Sequence, residues 1–414
     1  MMKYLYKLFY EDKNIYENTY KNRFNFEETL RTGLFINSLN KKDLFELYYV
    51  YNKDTANYID RIRNNDNVLK DMEESLPKVA KNAFLIDIMS SELKSTNDLE
   101  GVKSSKEELV ETTRKRILYN EINNDMKFNS MVNSYALLYA GDVLTIPDKL
   151  EDIRKIYDCI TSGEIEDEDL PDGKLFRKDR VYVKKKGSVG GEIIHEGVYG
   201  ENKIEEFLYK WMSFMKKDDI NPLLKIAVGH YYFGYIHPFY DGNGRVSRFI
   251  SSLYIRQNFN YFTSMSLARG SWMKKSKYYK AFDYTNSSIG KGEMNYFVDE
   301  FLKILITGQE DIIENLRNKS NRLSKSYNCI NQDDRLNTKH KITIMYLLTQ
   351  NYYFDWVKGL KREEIIKLIG DNVTEYKVKD ELEDLLELGY IKEIKKRPLI
   401  YVLGDNFIDK INNL

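Results

Sequence analysis

The most constraining feature of this chain is a pair of largely apolar segments, "NPLLKIAVGHYYFGY" from Asn221 and "VSRFISSLYIRQ" to Gln257. The first opens with an N-capping asparagine and a proline at the first helical position, so it reads as a helix. Apolar residues run all round it, which requires a helix buried on every side. The expected fold class is mainly α, with a small α/β domain at the end of the chain. Between the two segments, and running into the second, lies "HPFYDGNGRVSR", His237 to Arg248, a polar cluster in the middle of apolar sequence.

Helical periodicity dominates to about residue 160. "NFEETLRTGLFINSLNKKDLFELYYVYNKDTANYIDRIRN" reads as two amphipathic helices. "LPKVAKNAFLIDIMSSELKSTNDLEG" reads as a helix ending in a polar turn at Ser95 to Gly101, and Ser105 as the N-cap of the next. After the acidic loop 163–174, "VYVKKKGSVGGEIIH" alternates and breaks at glycines, the best hairpin signal of the first 300 residues. "EMNYFVDEFLKILITGQEDIIENLRNK" reads as a helix, and 320–334 as a polar boundary. The expected organisation is therefore an N-terminal helical region 1–94, a core 95–318 and a small C-terminal domain 335–414. In that last domain three helices and two short strands follow in winged-helix order.

Composition limits the function. Lys+Arg and Asp+Glu number 64 each, which argues against general coating of nucleic acid but leaves a local basic patch open. Two distant cysteines, Cys159 and Cys329, suit a reducing cytoplasm and are too few for a structural zinc site. No apolar run is long enough to span a membrane, and none is expected.

The chemistry of the cluster can be read from its residue types. Gly242, Asn243 and Gly244 form a turn that leads into a helix, where consecutive N–H groups and the helix N-terminus bind anions. Arg245 and Arg248 lie on neighbouring positions of the first helical turn and suit a polyphosphate. Asp241 can hold Mg²⁺ against phosphates, and His237 can take a proton near neutral pH. Together they are suited to transfer from a nucleoside triphosphate to a hydroxyl.

"HPFYDGNGRVSR" fits, at every defined position, the signature H-P-F-x-[D/E]-G-N-G-R-x-x-R, and so resembles the Fic (Fido) family. With about one chance in twenty per residue type, its eight single-residue positions would arise at roughly 10⁻¹¹ per starting point. The resemblance implies a helical Fic bundle with a β-hairpin flap, here at about 181–195. It implies a protein adenylyltransferase that moves AMP from Mg-ATP to a Ser, Thr or Tyr hydroxyl of a target protein. His237 would be the catalytic base and Asp241 the Mg²⁺ ligand. Gly242, Asn243 and Gly244 would form the anion hole, Arg245 and Arg248 would bind the outer phosphates, and Phe239 would anchor the core. "KYYKAFDYTN" is similar to the family's post-motif helix, which assigns Tyr279 and Asn286 to the adenosine.

Residues 96–101, "TNDLEG", resemble the family's inhibitory pattern [S/T]-x-x-x-E-[G/N]. The resemblance implies that Glu100, with Thr96, pairs with Arg248 and misplaces the γ-phosphate; in some relatives the same glutamate supports removal of AMP. Self-AMPylation and a homodimer are compatible with the sequence. Competing readings are a Fic enzyme that uses another nucleotide or transfers phosphate, and a nucleotide-sensing regulator that binds DNA through the winged helix. The third helix of the tail carries six acids, which favours protein binding over DNA. His195 is given no catalytic role, and His230 is expected to be packed in the core.

Overall fold

A computed structural model describes residues 2–39, 42–121, 128–141, 146–184, 191–370 and 374–412. The chain divides into two units, Met1–Leu69 with Met89–Asp311, and Lys70–Ile88 with Ile312–Leu414. The described residues are mostly helical, as expected.

In the first unit the two apolar segments form the helices Pro222–Ile236 and Asn243–Arg256, both buried along nearly their whole length. The Asn221 side chain accepts the Leu223 N–H and Pro222 occupies the first turn, so local sequence sets the start of the first helix. Trp211, on the helix Glu201–Met215, donates its indole N–H to the Gly229 carbonyl at 2.9 Å. Tyr135 meets Phe249 edge-on at 4.9 Å, and Tyr157 stacks on Phe239 at 3.9 Å. Helices on several sides thus hold the central pair, as its all-round apolar surface requires.

Three expectations are corrected. The segment read as two amphipathic helices contains an antiparallel hairpin, Leu30–Asn37 with Leu44–Tyr49, before the helix Lys53–Glu74 begins. Thr32, Leu34 and Ile36 point inward while their neighbours point outward, a period of two. Phe35 and Leu44 on the outer face hide that alternation in the sequence. The hairpin at 181–195 is therefore not the chief β signal of the N-terminal part.

Second, no turn separates Ser95 from Leu99. The helix Lys78–Glu100 runs unbroken to Glu100 and stops at Gly101, whose φ of +84° suits glycine. Thr96 and Asn97 are buried beside Leu99, so these two polar residues face the interior rather than solvent. Third, residues 320–331 of the expected boundary at 320–334 are the last part of a 37-residue helix, Asn295–Asn331. Leu316, Leu323, Ser326 and Ile330 recur at helical spacing on its buried side, and the polar residues between them lie outward.

The strands Tyr182–Lys184 and Ile193–Glu196 pair antiparallel. They fall in the expected flap, of which residues 185–190 lie outside the described residues.

The second unit has its own core, including Ile344, Leu348, Leu382, Tyr390, Tyr401 and Phe407. Its helices Lys339–Phe354, Arg362–Ile369 and Glu375–Glu387 precede the strands Ile391–Lys396 and Leu399–Leu403. A two-residue strand, Leu360–Lys361, pairs with the far edge of Leu399–Leu403, and the helix Asp405–Asn412 follows. The sequence reading contained neither of these last two elements. Lys341 pairs with Asp384 at 2.8 Å and approaches Glu381 at 3.8 Å, so part of the third helix's acidic charge is answered within the unit.

Candidate active site

The polar cluster bridges the two central helices. His237 ends the first of them with φ +53°, a left-handed conformation uncommon for a side chain of its size. Its Nδ1 lies 3.3 Å from the Gly234 carbonyl, which accepts the ring N–H and assigns the basic lone pair to Nε2. Burial, the His195 ring and the Arg177 guanidinium lower the imidazole to about 3, so the ring is neutral at pH 7. A neutral ring can accept a proton.

Asn243 fixes the loop that follows. Its side-chain oxygen accepts the Phe239 N–H at 3.0 Å and its amide donates to the Phe239 carbonyl at 2.8 Å. Gly242 has φ +83° and begins the second helix, and a Cβ there would lie 2.7 Å from Thr161 Cγ2. At Gly244 a Cβ would collide with the Glu100 carboxylate. The helix N-terminus, where an anion is favoured, therefore already has the Glu100 carboxylate against it.

Glu100 also reaches Arg248, Oε1 to Nη2, at 2.6 Å. The arginine side chain is 1% exposed and the glutamate side chain 21%. The same guanidinium donates from Nε to Thr96 Oγ1 at 2.8 Å and from Nη2 to the Thr96 carbonyl at 3.2 Å. Glu92 lies one turn before Thr96, at the spacing that puts residues 92, 96 and 100 on one helix face. Its carboxylate accepts the N–H groups of Ala268 and Arg269 at 2.7 and 2.9 Å, and burial raises its pKa to about 8. The glutamate-bearing helix is thus held at both Arg248 and the Leu267–Met273 helix start.

Arg245 is placed differently from Arg248. It is fully buried and pairs with Glu164 at 2.7 Å, whose side chain is 2% exposed. A second, longer contact of 3.4 Å joins it to Asp241. A buried pair is costly to break from one side, by about 3–5 kcal/mol. Glu164→Gln is expected to lower the unfolding free energy by about 3 kcal/mol or more. Urea unfolding would measure it, and a loss under about 0.5 kcal/mol, the usual surface value, would refute it.

Asp241 keeps 48% of its side chain exposed at the same helix start. Among the described residues no group of three or more His, Cys, Asp or Glu could hold a metal ion alone. One exposed carboxylate beside an anion site still fits Mg²⁺, which takes one or two carboxylates and completes its shell with phosphates and water.

The two expected adenosine residues occupy different places. The Tyr279 hydroxyl donates to the Leu99 carbonyl at 2.8 Å and so holds the helix end that carries Glu100. Asn286 accepts the Tyr231 hydroxyl at 2.7 Å. His230 is packed as expected, with Nδ1 near Ser247 and Ser251 and Nε2 2.8 Å from the Tyr278 hydroxyl. Sequence reasoning missed Glu92, Glu164 and Arg177. None carries a local marker, because each acquires its role from a partner distant in the chain.

The Fic/DOC family model matches residues 147–255, which include the cluster and the paired strands before it. A Fic family protein from Desulfovibrio desulfuricans G20 superposes with a TM-score of 0.50 at 13% identity, covering 86% of this chain and 98% of that one. Fic-1 from C. elegans gives a TM-score of 0.42 at 16% identity, covering 64% and 74%. A Fic domain containing signalling protein from Bacteroides thetaiotaomicron gives 0.38 at 15%, covering 64% and 97%. Residues 147–255 thus match the Fic/DOC domain, and the fold is that of a Fic family protein. The family is known for nucleotidyl transfer to proteins. Among the described residues no helix is long and apolar enough to cross a membrane.

Proposed function

We propose that this chain is a Mg-ATP-dependent protein adenylyltransferase of the cytoplasm, held inactive by Glu100. The observation that carries the reading is that the anion site already has an anion against it. The Glu100 carboxylate lies against Gly244 at the helix start and is bonded to buried Arg248. A fork that holds a carboxylate at a helix N-terminus suits a phosphate equally well.

In the released state His237 Nε2 takes the proton of the target hydroxyl. The hydroxyl oxygen attacks the α-phosphorus, the bond to the β-phosphate oxygen breaks, and pyrophosphate leaves. Arg248 then binds the outer phosphates, and the N–H groups at Gly242 to Gly244 face the transferred phosphate. Arg245 acts through its position, because Glu164 holds it in the wall beside Asp241. Asp241 would hold Mg²⁺ together with phosphate oxygens, and the ion would supply charge neutralisation on the triphosphate. The target protein adds a strand to the edge of the hairpin at 182–196 and presents a Ser, Thr or Tyr hydroxyl. The C-terminal unit recruits protein rather than DNA, since its third helix presents exposed acids, Glu375 and Glu383, even though each lies beside a cation, Arg362 and Lys379.

The test supplies a Glu100→Gly variant with ATP labelled at the α or the γ position, and with α-labelled UTP and GTP. Label on protein from the α position of ATP alone supports the reading. Label from γ-ATP, or from another nucleotide in preference, overturns it.

A further inference from the structure

We propose that Arg177 is a positioning residue for the transfer, locking the His237 loop and both roots of the paired strands into one rigid unit; this rests on the adenylyltransferase reading. The side chain is fully buried. Its Nε donates to the His237 carbonyl at 2.9 Å, and its Nη2 to the carbonyls of Val198 and Ile236 at 2.7 and 3.5 Å. Its Nη1 donates to the Asp179 carbonyl, and its backbone N–H to the Pro238 carbonyl at 3.2 Å. Asp179 precedes the strand Tyr182–Lys184, and Val198 follows the strand Ile193–Glu196. One guanidinium therefore touches the segment that enters the hairpin, the segment that leaves it, and the backbone of the residue that carries the base.

The chemistry of the acceptors marks this as more than packing. All four side-chain acceptors among the described residues are backbone carbonyls. Burying a guanidinium against neutral partners is costly, and an apolar residue would fill the space more cheaply. Burial does lower it, to about 10, so it remains charged at neutral pH. Only arginine offers five donors in a flat fork, enough for three segments at once. Space has been cleared for it: at Gly197 a Cβ would lie 2.5 Å from Nη2 and 3.0 Å from His237 Cβ. The hairpin would hold the target backbone and His237 would meet the target hydroxyl. The distance between them is set by whatever joins the two, and Arg177 joins them.

The groups recorded around His237 are His195 on the strand Ile193–Glu196, Arg177 before the hairpin, and Glu100 with opposite sign. Removing the Arg177 charge takes away a cation that opposes protonation, so the His237 titration moves up; a lysine that keeps the charge moves it less.

The experiment compares Glu100→Gly with the same protein carrying Arg177→Lys or Arg177→Met, on Mg-ATP and a target or self-modification. Both are expected to lower kcat about 100-fold, the usual result of misplacing a reacting group by 1 Å, with KM for ATP changed by less than about threefold. The His237 ring signal, followed by NMR without nucleotide, is expected to titrate higher in Arg177→Met than in the parent. A kcat within about threefold of the parent in Arg177→Lys, or a raised KM with unchanged kcat, overturns the proposal. Cooperative unfolding of each variant checks folding, and Arg177→Lys carries the test if Arg177→Met does not fold. An inactive Glu100→Gly parent would instead sink the adenylyltransferase reading. The NMR comparison would then decide Arg177 alone, and an unmoved His237 titration in Arg177→Met would overturn it.

Discussion

Replacing Glu100 by glycine is expected to raise AMP transfer by about 100-fold at limiting ATP. The estimate follows from what the carboxylate does at rest. It makes a charge-assisted bond to Arg248 at 2.6 Å and lies against the helix start at Gly244. Such a bond contributes about 1.5–3 kcal/mol, and 2.8 kcal/mol is a factor of about 100 in the fraction of molecules whose phosphate site is open. Apparent affinity for ATP scales with that fraction. The same substitution leaves Arg248 buried with fewer partners, since the Glu100 carboxylate is lost while Thr96 and Tyr278 remain. The nucleotide-free variant should therefore melt several degrees below the wild type, and Mg-ATP should recover more of the loss than it adds to the wild type. Intact mass after Mg-ATP and a melting series with and without ATP measure the two effects. Unchanged transfer together with an ATP-insensitive melting point would sink autoinhibition. Glu100→Gln, which keeps the size and loses the charge, should fall between the two proteins.

Residues with roles encoded within a few positions could be read from sequence, and those whose partners are supplied by the fold could not. His237 to Arg248 packs a turn, a helix start and five polar groups into twelve residues, so its chemistry is legible without a fold. Arg248 and Glu100 are 148 residues apart, and only the short pattern "TNDLEG" pointed from one to the other. Glu164 sits in an acidic loop where nothing distinguishes it from its neighbours until Arg245 is placed beside it. Arg177 lies in "LFRKDR", among other cations, and only burial separates it from them. The hairpin Leu30–Asn37 with Leu44–Tyr49 was misread for a related reason. Apolar residues on both of its faces look like a helix stripe when the period is judged from composition alone.

Replacing His237 is expected to remove transfer by about 10²–10⁴-fold in the Glu100→Gly protein, the usual contribution of a positioned base. The choice of replacement matters, because His237 holds φ +53° at the end of the Pro222–Ile236 helix. Alanine there keeps the Cβ that makes the left-handed region costly but deletes the ring and its Nδ1 bond to the Gly234 carbonyl, so that lost activity would not isolate the base. Asparagine tolerates the left-handed region, keeps a polar side chain and cannot act as a base at neutral pH. His237→Asn should therefore keep the Asn243 to Phe239 bonds and the Arg248 site, and bind Mg-ATP as the parent does, while losing transfer. Calorimetric ATP binding beside single-turnover transfer separates the two quantities. Transfer retained within about tenfold would remove His237 from the chemistry, since a base contributes at least about 10². The neutral state of the ring adds a pH expectation. Burial keeps His237 unprotonated down to about 3, so in free enzyme the acid limb of kcat/KM should not show an ordinary histidine between pH 6 and 7. Protonation of the resting ring sets in only as pH falls toward the lowered value, and a limb near 6.5 would mean that the ring is more open to water than its burial between the helix end and the hairpin implies.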